Sequence, residues 1–230
     1  MLVPYFAASF SAIKREYCFA RFMAFEAIHE IHPSYENKGL YLIDTLDWVR
    51  YEGYIEKLKA SFRLAFSTLD SLANLMYRYF CGKSSEKNIY FSGAFIRENI
   101  GSFDNQFVSS LYWLACDLTD NDKGNLSQNW RAPNPDGKVI RQVRNALEHG
   151  WLRISDQMDI QRNHNDFADF VITSEEFKSI TLQTFKLVRS AILYFVLAVK
   201  LNEDELTASD KKTAVTQPFI WQDDLSFKTL

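Results

Sequence analysis

Arg144, Asn145 and His149 fall within the run Arg144-Asn-Ala-Leu-Glu-His149, which Gly150 follows. These three residue types at this spacing suit proton transfer beside a developing negative charge. Histidine exchanges protons near neutrality, and arginine keeps its charge and meets phosphate oxygens with a planar fork. On a helix Asn145 and His149 are one turn apart, so the amide can hydrogen-bond the imidazole and orient it. At about 100° per residue, Val139, Ile140, Val143, Ala146 and Leu147 share an apolar face, while Lys138, Arg141, Asn145 and His149 point the other way. Arg144 lies on the flank, roughly 140° from His149 on a straight helix. One helix therefore aims the two poorly at a single atom, and a two-fold pairing of two such helices serves them better. The same residues also allow a plainer reading. Arg144 and Glu148 have the i,i+4 spacing of a solvated ion pair worth only about 0.3–0.5 kcal/mol, and His149 would suit the negative end of a helix.

No other constellation competes. Cys18, Cys81 and Cys116 are too scattered for a zinc site or a disulfide framework and read as buried or half-buried thiols. His29, His32 and His164 lack metal-ligand spacing, and Asp70, Glu175 and Glu176 have no evident partner for acid–base work. There is no glycine-rich phosphate loop, serine elbow or metalloprotease helix. Neither a metal nor a cofactor is expected.

The elements that must position these residues are helical. The chain has 230 residues, 47% hydrophobic and 24% charged, which excludes wholesale disorder and indicates one domain, with or without a tail. Eight glycines and five prolines leave long uninterrupted stretches. One helix is expected from about Tyr5 to His32, before Pro33. A second runs from about Asp44 to Phe80, with an apolar stripe through Leu58, Phe62, Phe66, Leu69, Leu72 and Met76, a weak point at Gly53 that could divide it, and a stop at Gly82. Residues 83–103 read as a loop with a short helical piece near Ala94–Asn99, followed by a third helix over Asp104–Leu118. A polar loop, 119–134, precedes a fourth helix, which Asn134-Pro135-Asp136 starts and Gly150 ends. Trp151–Ile154 and Asp169–Ile172 read as a β-hairpin with a long loop. Thr173-Ser-Glu-Glu176 is a capping box for a last helix to about Leu201. The expected fold is thus all-α, an up-and-down bundle of four to five helices with a small β-hairpin insert before the last long helix. A single domain, 1–203, is expected, with its core at about 40–203, the helix 5–32 packed on it, and a polar tail, 204–230, carrying one apolar island at Pro218-Phe-Ile-Trp221.

The chain carries a formal charge of −3, which excludes a strongly basic nucleic-acid coat. The window 131–162, however, has a net charge of +2. The basic pair Lys14-Arg15 follows the apolar N-terminal stretch, the reverse of a secretory signal. The longest unbroken apolar run, Ala191–Val199, is about half of what a membrane span requires. A soluble cytoplasmic protein is expected, with no membrane partner.

An arginine followed by a polar residue, three more residues and His-Gly, at the end of a helix in an all-helical domain, resembles the signature of the HEPN (higher eukaryotes and prokaryotes nucleotide-binding) superfamily. The two β-prone segments and the capped long helix behind it are similar to the branch often found C-terminal to tetratricopeptide repeats. The resemblance covers about residues 40–200. It implies a metal-independent endoribonuclease acting as a homodimer through the helix 135–149 face, in the role of a toxin or defence effector with a protein regulator or antitoxin. It further implies RNA as partner, attack by the 2′-OH, and a 2′,3′-cyclic phosphate product. In that chemistry His149 would serve as acid or base, Arg144 would stabilise the charge and Asn145 would orient. Lys138, Arg141 and Arg153 would bind RNA, and Trp130 and Trp151 are candidates to stack on bases. Other members of the superfamily have lost the motif and act as binding modules, so a non-catalytic dimerisation or scaffold module is the rival expectation. Trp151 stands two residues past His149, where some HEPN toxins carry a tyrosine that a partner nucleotidyltransferase modifies. That departure counts against such regulation.

Overall fold

Long glycine-free apolar repeats dictate the architecture. The computed structural model describes residues 3–29, 38–41, 49–82, 89–101, 104–118, 135–156 and 170–205. Among these residues there are six α-helices, a π-helical turn and two short strands. In chain order they are α1 (Val3–Ile28), α2 (Gly53–Cys81), α3 (Gly93–Phe95), the π turn Ile96–Ile100, α4 (Gln106–Leu118), α5 (Pro135–His149), β1 (Leu152–Ile154), β2 (Phe170–Ile172) and α6 (Ser174–Glu205). The all-α fold with a small strand insert is therefore as expected.

The stripe predicted on α2 is the centre of the core, with Leu58, Phe62, Phe66, Leu69, Leu72 and Met76 all buried. Against it lies α1 through Ile13, Ala20, Ala24 and Ala27, whose mostly small side chains permit close approach. α6 packs on α2 and α4 through Phe177, Ile180, Phe185, Val188, Ala191 and Phe195. The rings of Phe66, Phe62 and Phe177 follow one another at centroid distances of 5.2 and 5.9 Å, linking α2 to α6. By length and composition α6 would suffice to cross a membrane, although its longest unbroken apolar run is short.

Helix ends follow local chemistry. Asn105 caps α4 by accepting from the N–H groups of Phe107 and Val108, and its own amide donates to the Ala198 carbonyl of α6. Gly82 ends α2 in the left-handed conformation, φ +66°. The capping box of α6 is complete: the Glu176 N–H donates to Thr173 Oγ1 at 3.2 Å, and the Thr173 N–H donates to the Glu176 carboxylate at 3.2 Å. Thr173→Ala should therefore lower stability by about 1 kcal/mol in urea denaturation, whereas Ser at this position should restore most of it.

Several boundaries differ from expectation. α1 ends at Ile28, and residues 30–32 lie outside the described part. α2 begins at Gly53, not near Asp44; residues 49–52 are non-helical, and Val49 bridges Ser155 in antiparallel fashion. Glycine at the first helical position and the backbone bond from the Arg50 N–H to the Ile154 carbonyl explain the shift. β1 and β2 do not form a hairpin. They pair in parallel, Leu152 with Phe170 and Ile154 with Ile172. Alternation of side chains reports that a strand exists but not the direction in which it pairs. Gly150 ends α5 without a left-handed turn; its N–H donates to the Ala146 carbonyl and continues the helical pattern. Cys18 is exposed, contrary to the expectation for the three thiols, while Cys116 is buried and Cys81 is half-buried. The loop 119–134, His32, His164, Trp130 and the island 218–221 lie outside the described residues.

Candidate active site at the end of α5

The expected two-faced character of α5 is realised. Ile140, Val143, Ala146 and Leu147 are buried, and Lys138, Asn145 and His149 are exposed. What holds the helix in place begins at its first turn. A Cβ on Gly137 would sit 2.6 Å from the backbone oxygen of Asp117 in α4, so only glycine permits this approach. Gly137→Ala should part the two helices at a cost of about 1–3 kcal/mol, read as a lower denaturation midpoint. Nearby, Arg141 donates to the Asp117 carbonyl at 3.4 Å, which draws it away from the exposed face expected for it. Burial pushes the Asp117 carboxyl above the usual carboxylate range, and the Arg141 charge opposes that shift.

The other end of α5 rests on α2. Arg63, Phe66 and Asp70 lie three and four residues apart, on one stripe of α2 that faces α5. Arg63 donates to the Leu147 carbonyl at 2.6 Å and lies 3.5 Å from the Glu148 carboxylate. A cation there satisfies a terminal carbonyl and complements the negative helix end. Arg144 lies over the Phe66 ring, 4.8 Å from its centroid, with its guanidinium 3.8 Å from the Asp70 carboxylate. The expected alternative, an Arg144–Glu148 ion pair, is not formed; Glu148 faces Arg63 and Arg144 faces Asp70. Stacking on an aromatic face and a half-buried carboxylate fix the guanidinium better than a second exposed side chain would.

Asp70, which has no evident partner in the sequence, organises this corner. It accepts the Phe91 N–H at 2.8 Å and faces Arg144. The sequence does hold a signal for it: a carboxylate interrupting an otherwise apolar stripe, one turn from Phe66. Desolvation raises the Asp70 pKa above its ordinary value of 3.8, opposed by the Phe91 hydrogen bond and the Arg144 charge. The folded state then holds the Asp70 proton more tightly than the unfolded chain does. The stabilisation this confers is complete below the unfolded value and is lost as pH rises through the folded one. Asp70→Asn, which keeps an acceptor for Phe91, should thus gain stability relative to the parent as pH goes from 4 to 7. Urea titrations at both pH values test this, and the opposite trend would mean that the Arg144 attraction outweighs desolvation.

His149 is the last residue of α5, exposed, and followed by Trp151, which is 76% exposed. The Asn145–His149 hydrogen bond expected from their spacing is not formed; both side chains are exposed to water. Arg153 is half-buried on β1, and Lys138 is exposed at the opposite end of α5 from His149. Within one chain the motif is therefore split. Arg144 is stationed against α2, whereas Asn145 and His149 lie on the open face. Among the described residues no group of three His, Cys, Asp or Glu is placed to hold a metal ion.

The sequence model of one protein family, described as LA2681-like HEPN, matches residues 2–202. No curated protein and no solved structure matches the chain. The match begins well before residue 40, where the resemblance read from the motif starts, and so takes in α1.

Proposed function

Because the chain belongs to the LA2681-like HEPN family, whose wider class is frequently ribonucleolytic, we propose that it is a metal-independent endoribonuclease that works as a homodimer. In this reading the α5 faces of two copies meet across a two-fold axis and close around a scissile phosphodiester. The RNA 2′-OH attacks its own phosphorus, the 5′-oxygen leaves, and a 2′,3′-cyclic phosphate remains. His149 exchanges the proton as acid or base, Arg144 neutralises charge on the non-bridging oxygens, and Asn145 orients the imidazole once the second copy restricts it. Lys138, Arg141 and Arg153 contact flanking phosphates, with salt-sensitive binding. The setting we assign is cytoplasmic, as a toxin or defence effector under a protein regulator.

One observation carries the reading. Arg144 is held against α2 by Phe66 and Asp70 rather than by its helical neighbour Glu148, while Asn145 and His149 stay exposed on the open face, so an arginine and a histidine aimed at one phosphate are better supplied by two copies than by one. The deciding experiment incubates the purified chain with structured RNA in EDTA and analyses product ends. Cyclic phosphate termini support the proposal. A stable homodimer that leaves RNA intact would favour the dimerisation or scaffold module instead.

A further inference from the structure

Two apolar features play no part in the site above. The first is a groove of about 780 Å³ between α1 and α6. Its walls are Phe22, Phe25 and Leu182, which stay 55, 54 and 48% exposed. Aromatic side chains this open, side by side, mark a surface that something covers. Its rim is cationic: Arg21, Lys186 and Arg189 line it. Lys186 and Arg189 form no ion pair among the described residues. An occupant must therefore be apolar in the middle and acidic at one end.

The second feature is in the chain itself. Residues 218–224 read Pro-Phe-Ile-Trp-Gln-Asp-Asp, an apolar island followed by two adjacent carboxylates. We infer that this segment docks in the groove of its own chain, with Phe219, Ile220 and Trp221 against Phe22, Phe25 and Leu182, and Asp223 and Asp224 against the Lys186–Arg189 rim. Length permits it. From Glu205, the last residue of α6, the helix runs back about 24 Å to Arg189 and about 35 Å to Leu182 at about 1.5 Å per residue. The intervening residues, 206–217, can reach at most about 40 Å. A connection within one chain that can span this distance holds the segment at an effective concentration approaching the millimolar range, so modest contacts suffice. That advantage is what favours the chain's own segment over the same segment of a second copy.

The test uses the full chain. Cys18 lines the groove and is exposed, and it serves as one anchor. Ile220→Cys supplies the other, and a short bis-maleimide joins them, with the linked peptides identified by mass spectrometry. Docking predicts a link between Cys18 and the thiol introduced at position 220 of the same chain, at a rate that does not depend on protein concentration. Lys186→Glu with Arg189→Glu should slow it about three- to tenfold, as expected when two exposed ion pairs become like-charge contacts. Adding Asp223→Lys with Asp224→Lys should restore it. Circular dichroism confirms that the variants fold. A link whose rate ignores the charge reversals reflects tether proximity alone and overturns the inference. So does a link that forms between chains and grows with concentration, which would assign the groove to a second copy.

Discussion

His149→Ala protein is expected to cleave structured RNA about 10²–10⁴ times more slowly than the parent chain, the contribution typical of a positioned proton-transfer group. Its thermal midpoint should not move, because the imidazole is exposed at the last residue of α5 and hydrogen-bonds nothing among the described residues. That combination separates chemistry from folding. Arg144 needs a more careful design. Its side chain covers Phe66 and neutralises Asp70, so Arg144→Ala uncovers an aromatic ring and leaves a half-buried carboxylate without its cation. Both activity and stability should fall. Arg144→Lys keeps the charge near Asp70 but loses the planar fork, so it should retain most of the stability and little of the cleavage. A mixing experiment adds the dimer to the test. If the two motifs act across a two-fold axis, His149→Ala and Arg144→Lys chains combined should recover part of the activity, provided each half-site needs an arginine and a histidine from different copies. Equal cleavage by parent and His149→Ala protein, at matched concentration and in EDTA, would remove His149 from the reaction.

The largest effect on stability is expected from Phe62→Ala. Phe62 is 1% exposed and packs between Phe66 and Phe177, with centroid distances of 5.2 and 5.9 Å. Truncating a buried phenylalanine costs about 3–5 kcal/mol, through lost transfer energy and the cavity left behind. That is a large share of the about 5–15 kcal/mol typical of a whole domain. The consequence reaches the candidate site, since Phe66 is the shelf on which Arg144 lies. Urea denaturation should show the midpoint falling with the slope unchanged. Phe62→Leu, which fills most of the volume, should recover much of the loss, so that a remaining activity defect can be separated from unfolding. A cost under about 1 kcal/mol for Phe62→Ala would mean the neighbouring side chains collapse into the space, contrary to a well-packed interior.

The sequence by itself determined the helices, several of their ends and the division of α5 into two faces. These are local matters. Leu58 through Met76 repeat with the period of a helix, Thr173 and Glu176 lie one turn apart, and the burial of Ile140, Val143 and Leu147 follows from rotation about a single axis. The motif residues Arg144, Asn145 and His149 were legible for the same reason, since their spacing is short and lies within one element. Only the tertiary structure decided what those residues meet. Arg63 lies 84 positions before Leu147, whose carbonyl it satisfies, and Asp70 is similarly remote from Arg144. Periodicity on α2 says which face is buried without saying which helix covers it. The choice of Asp70 over Glu148 as the partner of Arg144, the parallel direction of β1 and β2, and the start of α2 at Gly53 all rest on contacts between distant segments. Such contacts depend on how whole faces pack against each other, and no local rule of turn, cap or helical period contains them.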